Sequence, residues 1–204
     1  MIDRHRLRFD YRHLHFIGIG GIGMSGLSEL MINSGYIVSG SDLSPSPLTN
    51  RLASLGATIY EGHQADHITG ADLIIYTAAV STDNPELAAA RQQGILAVSR
   101  ADLLGTIVRR YHGIAVAGTH GKTTTSAMIG KILVDAELDP TIVLGGILPE
   151  SNSNIRMGSG KWMVVEADEY DRSFHTLFPM TAVITSIDGD HMEYYRTQSA
   201  IDEA

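Results

Sequence analysis

Ile114-Ala-Val-Ala-Gly-Thr-His-Gly-Lys-Thr-Thr-Thr125 sets a short apolar run against a glycine turn and then against the start of a helical pattern. A glycine-rich turn that delivers a lysine and a threonine to a helix start grips phosphate. Backbone N–H groups and the positive helix end face the anion, the lysine neutralises it, and the threonine hydroxyl is placed to hold Mg²⁺. The candidate contacts are Gly118, Thr119, His120, Gly121, Lys122, Thr123 and Thr124. The spacing departs from the common G-x-x-x-x-G-K-[ST], because only Thr119 and His120 separate the two glycines. The neighbours of this loop therefore decide its meaning.

Two further strand ends carry acids. Trp162-Met-Val-Val-Glu166 is an apolar strand closing on a carboxylate, where a metal-holding acid sits beside a phosphate loop. Val183-Ile-Thr-Ser-Ile-Asp-Gly-Asp-His191 is another strand running into acids and a histidine. Lys122 with Thr123, then Glu166, then His191 thus fall at the carboxyl edge, where open α/β sheets bind ligands. Asp168, Glu169, Asp171 and Arg172 read as a solvated charged face. His63, Tyr194 and Tyr195 read as packing residues.

Upstream lies a different loop, Gly18-Ile-Gly-Gly-Ile-Gly23, between the strand Leu14–Gly18 and a helix opening near Met24. Its G-x-G-x-x-G spacing gives a tight turn and lets a pyrophosphate approach the backbone of Gly18, Gly20, Gly21 and Gly23, with Met24 and Ser25 following. Asp42 closes the next strand. A nicotinamide cofactor with Asp42 on a ribose hydroxyl, or a nucleotide-sugar diphosphate, would use the same chemistry. Two phosphate loops in one chain imply two phosphorylated ligands and a group transfer between them.

Strand-like and helix-like runs alternate through most of the chain, the pattern of parallel α/β architecture. Strands are expected at Tyr36–Ser39, Ala57–Tyr60, Asp72–Thr77 and Ile95–Val98, with helices at Leu48–Leu55, from Asn84-Pro85 onward, and at Ala101–Arg110. The pattern restarts near residues 108–113. This predicts a Rossmann-like parallel-sheet domain over 1–110, followed by a P-loop-type α/β ATPase domain over 111–204. The helix after Lys122 is expected to show Met128, Ile129, Ile132, Leu133 and Ala136 on its buried face. Further strands are expected at Thr141–Leu144, Trp162–Val165 and Ala182–Thr185, with Gly145–Asn154 and Gly158–Gly160 as loops. The last residues look like a helix beginning, so the second domain is expected to be truncated.

The net charge of −8 argues against nucleic acid as a partner, so phosphate must be met by local devices. There is no cysteine, which removes disulfides and thiolate metal sites. The N-terminus is charged without an apolar segment, and no run approaches the ~20 residues that span a bilayer. A cytoplasmic protein without membrane insertion is expected.

Five ordered motifs converge on one family. Phe16-Ile-Gly-Ile-Gly-Gly-Ile-Gly-Met-Ser-Gly26, Ser39-Gly-Ser-Asp42, Ala117-Gly-Thr-His-Gly-Lys-Thr-Thr-Thr125, Glu166-Ala-Asp-Glu-Tyr-Asp171 and Asp190-His-Met192 together resemble the Mur ligases. The resemblance covers essentially the whole chain. It implies an ATP- and Mg²⁺-dependent ligase of peptidoglycan synthesis that joins L-alanine to UDP-N-acetylmuramate through an acyl phosphate. Lys122 would bridge the β- and γ-phosphates, Thr123 and Glu166 would hold one Mg²⁺, and His191 a second. The Gly18–Gly23 loop would cradle the UDP diphosphate, with Asp42 toward the uridine. A recycling ligase that adds a ready-made peptide to the same nucleotide sugar is the nearest alternative, and an NAD-binding redox module a more distant one. The resemblance further implies a C-terminal domain that this sequence lacks, so the 204 residues alone are expected to bind UDP-sugar without ligation.

Overall fold

The computed structural model describes residues 10–148, 153–167 and 174–187, which form two compact units dividing between Leu103 and Leu104. In the first unit the elements run β1 (His13–Ile17), α1 (Ile22–Asn33), β2 (Ile37–Asp42), α2 (Pro47–Ser54), β3 (Thr58–Glu61), β4 (Leu73–Tyr76), α3 (Pro85–Gln93) and β5 (Leu96–Ser99). The division falls within the next helix, α4 (Arg100–Val108). The strands pair in parallel in the order β3-β2-β1-β4-β5. Strand order reverses between β1 and β4, so the connections leaving these neighbours diverge and open a crevice at their carboxyl ends.

Leu14, Phe16 and Ile17 of β1 and Leu27, Leu30 and Met31 of α1 are fully buried. Each such side chain contributes about 1.5–3 kcal/mol of apolar transfer. A second cluster joins Ile17 and Ile74 to Ile68, Leu87 and Ala90, seating α3 on the sheet. The helix starts are specified locally. Ser46 accepts from the Thr49 N–H while Thr49 Oγ1 accepts from the Ser46 N–H, with Pro47 at the first helical position of α2. Asn84 Oδ1 accepts from the Glu86 N–H at 2.9 Å, and Pro85 opens α3.

The second unit contains β6 (His112–Ala117), α5 (Lys122–Asp135), β7 (Thr141–Leu148), β8 (Ser153–Arg156), β9 (Trp162–Glu166) and β10 (Thr181–Ile184). Its sheet order is β10-β6-β9-β7-β8, parallel except for β8, which runs antiparallel to β7. The α/β expectation therefore holds, with one parallel sheet and one mixed sheet.

Two local expectations are corrected. The stretch from Gly145 read as loop, but β7 continues to Leu148 and β8 begins at Ser153, with an irregular register between Val143 and Leu148. Gly145 lies within this strand, where a Cβ would sit 2.9 Å from the Glu166 carboxylate, so its glycine answers to close approach and not to a turn. The buried face of α5 is corrected in part: Ile129 and Leu133 lie on it as expected, whereas Met128, Ile132 and Ala136 are exposed. Ser126 and Gly130 are buried and Ala127, Ile129 and Leu133 pack on the sheet, while Met128 and Ile132 are 55% and 66% exposed. A Cβ on Gly130 would collide with Ile142, so the helix meets the sheet through its smallest residues, and Met128 and Ile132 lie on the other side.

Candidate functional site

In the first unit, Gly18 follows β1 with φ +79°, and its N–H and that of Ile19 donate to the Ser41 carbonyl. The turn closes with the Gly21 N–H on the Gly18 carbonyl, and α1 starts at Ile22 without a side-chain cap. The first-turn amides of α1 and the positive end of the helix are thus presented to an anion. Asp42 stiffens the loop: Oδ2 accepts from the Gly20 N–H at 2.7 Å, and Oδ1 from the Leu43 N–H at 2.8 Å. Gly18, Gly20, Gly21 and Asp42 border a cleft of about 730 Å³ together with His63 and Asn84.

Met24 is buried, and the Ser25 hydroxyl donates to the Ile22 carbonyl at 2.9 Å. Both support α1 with their side chains and have only backbone to offer at the loop. Arg100, which the sequence reading passed over, lies against Gly23, where a Cβ would come within 3.2 Å of its Cδ and Nη1. It adds positive charge beside the loop.

Behind the cleft is a buried polar cluster with no counterpart in the sequence reading. Glu86 is fully buried. Ser41 Oγ donates to its Oε2 at 2.6 Å, His63 Nδ1 lies 3.1 Å from Oε2, and His67 Nδ1 lies 3.0 Å from Oε1. His15 Nε2 faces Oε1 at 3.6 Å, and His67 stacks on Tyr60 with ring centroids 4.4 Å apart. Burial pushes the Glu86 carboxyl up, but the polar contacts of His15 and Ser41 and the charges of His15 and His63 outweigh it. The group is held below its ordinary value of 4.5. The signal was present as Ser41, His63 and Glu86, but nothing in their spacing announces that they meet.

In the second unit, Gly118 (φ +126°) and Gly121 (φ +81°) take left-handed conformations that bend β6 into α5. A Cβ on Gly118 would collide with Thr185, which follows β10. The loop is pinned there by the Thr119 N–H on the Ser186 carbonyl at 3.1 Å and the His120 N–H on Ser186 Oγ at 3.2 Å. Lys122 is the first residue of α5, and its Nζ donates to the Gly118 carbonyl at 2.7 Å. No side chain caps this helix start, and Gly121, Thr123 and Thr124 are exposed.

Glu166, at the end of β9, reaches across the same edge. Its Oε2 accepts from Thr123 Oγ1 at 3.1 Å, and its Oε1 from the Gly145 N–H at 2.9 Å. The structure therefore brings Gly118–Thr124 and Glu166 together. His191 lies outside the described residues, as do Asp168, Glu169, Asp171, Arg172, Tyr194 and Tyr195. Among the described residues no group of three or more His, Asp or Glu side chains forms a metal cage, and no helix is long and apolar enough to cross a membrane.

Comparison with known proteins matches two successive family models to the chain. The model of the Mur ligase family catalytic domain matches residues 13–112, and that of the Mur ligase middle domain matches residues 116–204. The chain is 48% identical over 191 residues to UDP-N-acetylmuramate–L-alanine ligase of Desulfatibacillum aliphaticivorans, covering 94% of this chain and 42% of that protein. It is 49% identical over 189 residues to the enzyme of the same name from Methylobacillus flagellatus, covering 93% and 40%. The chain spans about two fifths of the length of these curated relatives. Among solved structures, UDP-N-acetylmuramate-alanine ligase of Thermotoga maritima aligns with a TM-score of 0.85 at 35% identity, covering 95% of this chain and 45% of that one. The UDP-N-acetylmuramate:L-alanyl-gamma-D-glutamyl-meso-diaminopimelate ligase of Neisseria meningitides also gives 0.85, at 30% identity, covering 94% and 65%.

Proposed function

The chain belongs to the Mur ligase family, and on that premise we propose that it is part of a cytoplasmic ATP-dependent ligase joining L-alanine to the lactyl carboxylate of UDP-N-acetylmuramate, an early step of peptidoglycan synthesis. The observation that carries this reading is the contact between Thr123 and Glu166, 3.1 Å apart beside the Lys122 loop. It lies in a chain whose other unit has its own diphosphate loop. A hydroxyl and a carboxylate are hard oxygen donors that suit Mg²⁺, so Thr123 and Glu166 would hold the ion beside the loop. Mg²⁺ would neutralise the triphosphate charge. His191 is assigned, on the family motif alone, to a second Mg²⁺ near the substrate carboxylate.

Chemically, an oxygen of the lactyl carboxylate attacks the γ-phosphorus, and the bond to the β,γ-bridging oxygen breaks, releasing ADP and leaving an acyl phosphate. The L-alanine amine then adds to the acyl carbon and loses a proton. Phosphate departs from the tetrahedral intermediate, leaving the amide. Little covalent help is required of the protein, because positioning and charge neutralisation dominate such transfers. Lys122 and the uncapped amides of α5 neutralise and orient the β- and γ-phosphates. The Gly18–Gly23 loop and the start of α1 hold the UDP diphosphate. Asp42 holds Gly20 in place and stands at the uridine side of the cleft.

The likeness to the Neisseria enzyme keeps a second reading in view, a ligase that adds a ready-made peptide to the same nucleotide sugar. The two separate in one assay. The full-length protein, given ATP, Mg²⁺ and UDP-N-acetylmuramate, is offered L-alanine, other amino acids and the tripeptide, and phosphate release is followed. L-alanine-dependent release is expected. Release with the tripeptide alone would replace this reading by the second. Tight NADH binding without binding of the nucleotide sugar would overturn both. The 204-residue chain by itself is expected to bind UDP-N-acetylmuramate and form no amide, which calorimetry and the same assay check.

A further inference from the structure

We propose that Glu86 is the positioning residue of the nucleotide cleft, fixing the His63 imidazole as its Nδ1–H tautomer so that Nε2 accepts a hydrogen bond from the uridine. The proposal rests on reading the first unit as a UDP-sugar site. An ionised carboxylate only accepts hydrogen bonds. Ser41 Oγ, 2.6 Å from Glu86 Oε2, therefore spends its single proton there. Its oxygen is then an acceptor for His63 Nδ1 at 2.9 Å, and Glu86 Oε2 is an acceptor for the same atom at 3.1 Å. Both contacts require Nδ1 to carry the proton, so in the neutral ring Nε2 keeps its lone pair. Nε2 makes no hydrogen bond to the described residues, and the ring borders the cleft with Asp42, Leu43 and Asn84.

The surroundings hold Glu86 tightly. It is the second residue of α3, where the positive helix end favours a carboxylate, and Asn84 caps that end. His67, stacked on Tyr60, donates to its other oxygen. His15 is a buried imidazole oriented by Ser39, with Nδ1 2.8 Å from Ser39 Oγ. Apolar residues of similar volume would attach α3 to the sheet at least as well, since a buried charge carries a desolvation cost of several kcal/mol. What the charge adds is a fixed proton position on the one member of the cluster that reaches the cleft. The uridine groups able to donate to Nε2 are the imide N–H and the ribose hydroxyls. A buried partner of this kind orients a binding imidazole much as outer carboxylates orient metal-binding histidines.

The test uses the full-length protein. Long-range proton–nitrogen NMR on histidine-labelled protein should show His63 with a protonated Nδ1 and a bare Nε2. Calorimetry with UDP, 3-methyl-UDP and 2′-deoxy-UDP should show one analogue binding about 10-fold or more weakly, identifying the donor. Glu86→Gln should weaken UDP by about 10–100-fold and raise KM for the nucleotide sugar, with kcat at saturation within twofold. His63→Ala should bind UDP and the weak analogue alike, and this more exposed change tests the same claim if Glu86→Gln fails to fold. An Nε2–H tautomer in the wild type, or Glu86→Gln lowering kcat with KM unchanged, would overturn the proposal. If the wild type binds neither UDP nor UDP-N-acetylmuramate, the reading of the cleft falls and the proposal with it. That outcome is separate from the tautomer result, which needs no ligand.

Discussion

In the first glycine loop, Gly20 gives its N–H to Asp42 and the cleft behind it rests on a buried carboxylate ringed by Ser41 and histidines. In the second, Lys122 folds onto the Gly118 carbonyl, and Thr123 meets Glu166 at an exposed edge. Both loops use the same strand, glycine turn and uncapped helix, so the difference lies in what finishes them. The first is stiffened from behind, as suits a site that recognises and holds a ligand. The second gathers a cation, a hydroxyl and a carboxylate, as suits a site where phosphate charge is neutralised while bonds change.

Changing the second loop should have the largest effect. Lys122→Ala in the full-length protein should lower kcat by about 10³-fold while UDP-N-acetylmuramate affinity stays within about twofold. Steady-state kinetics and calorimetry check this, and parallel losses would break the comparison. Glu166→Gln keeps shape but removes charge. It should raise the Mg²⁺ concentration giving half-maximal activity by about 10–100-fold, read from a magnesium titration.

A change in the first unit should act on stability instead. A Cβ on Gly40 would lie 2.6 Å from the Phe16 carbonyl and from Ile19 Cδ1. Gly40→Ala should therefore cost about 1–3 kcal/mol by overpacking. Hydrogen exchange should show β1 and β2 loosened and α5 unchanged.

The smallest effect sharpens the contrast through pH. Because the Glu86 carboxyl titrates lower when folded than its ordinary 4.5, its contribution is fully present above that value. It is lost as pH falls through the lower folded value. Urea midpoints should thus decline on acidification below about 4.5, and Glu86→Gln should flatten that part of the decline.

Sequence made the turns legible because glycine placement is a backbone requirement. Gly18 and Gly121 take the left-handed conformations their motifs call for, and Asn84-Pro85 opens a helix as read. Thr123 and Glu166 could be paired in advance because strand ends in a parallel sheet share one edge. The Glu86 cluster could not, since Ser41 lies 45 residues and His63 23 residues away and no periodicity links them. On α5, counting apolar residues found Ile129 and Leu133 but also took in the exposed Met128 and Ile132 and missed Gly130, whose lack of a side chain allows the close approach to Ile142. At β7, Gly145 and Gly146 looked like a turn, yet Gly145 leaves room for the Glu166 carboxylate within a strand.

The central claim is that the two loops hold two different phosphorylated ligands at once. The most direct measurement is calorimetric titration of UDP-N-acetylmuramate into the full-length protein saturated with a non-hydrolysable ATP analogue and Mg²⁺. One equivalent should bind, with Lys122→Ala weakening only the analogue. Displacement of the analogue by the nucleotide sugar, with a single shared site, would contradict it.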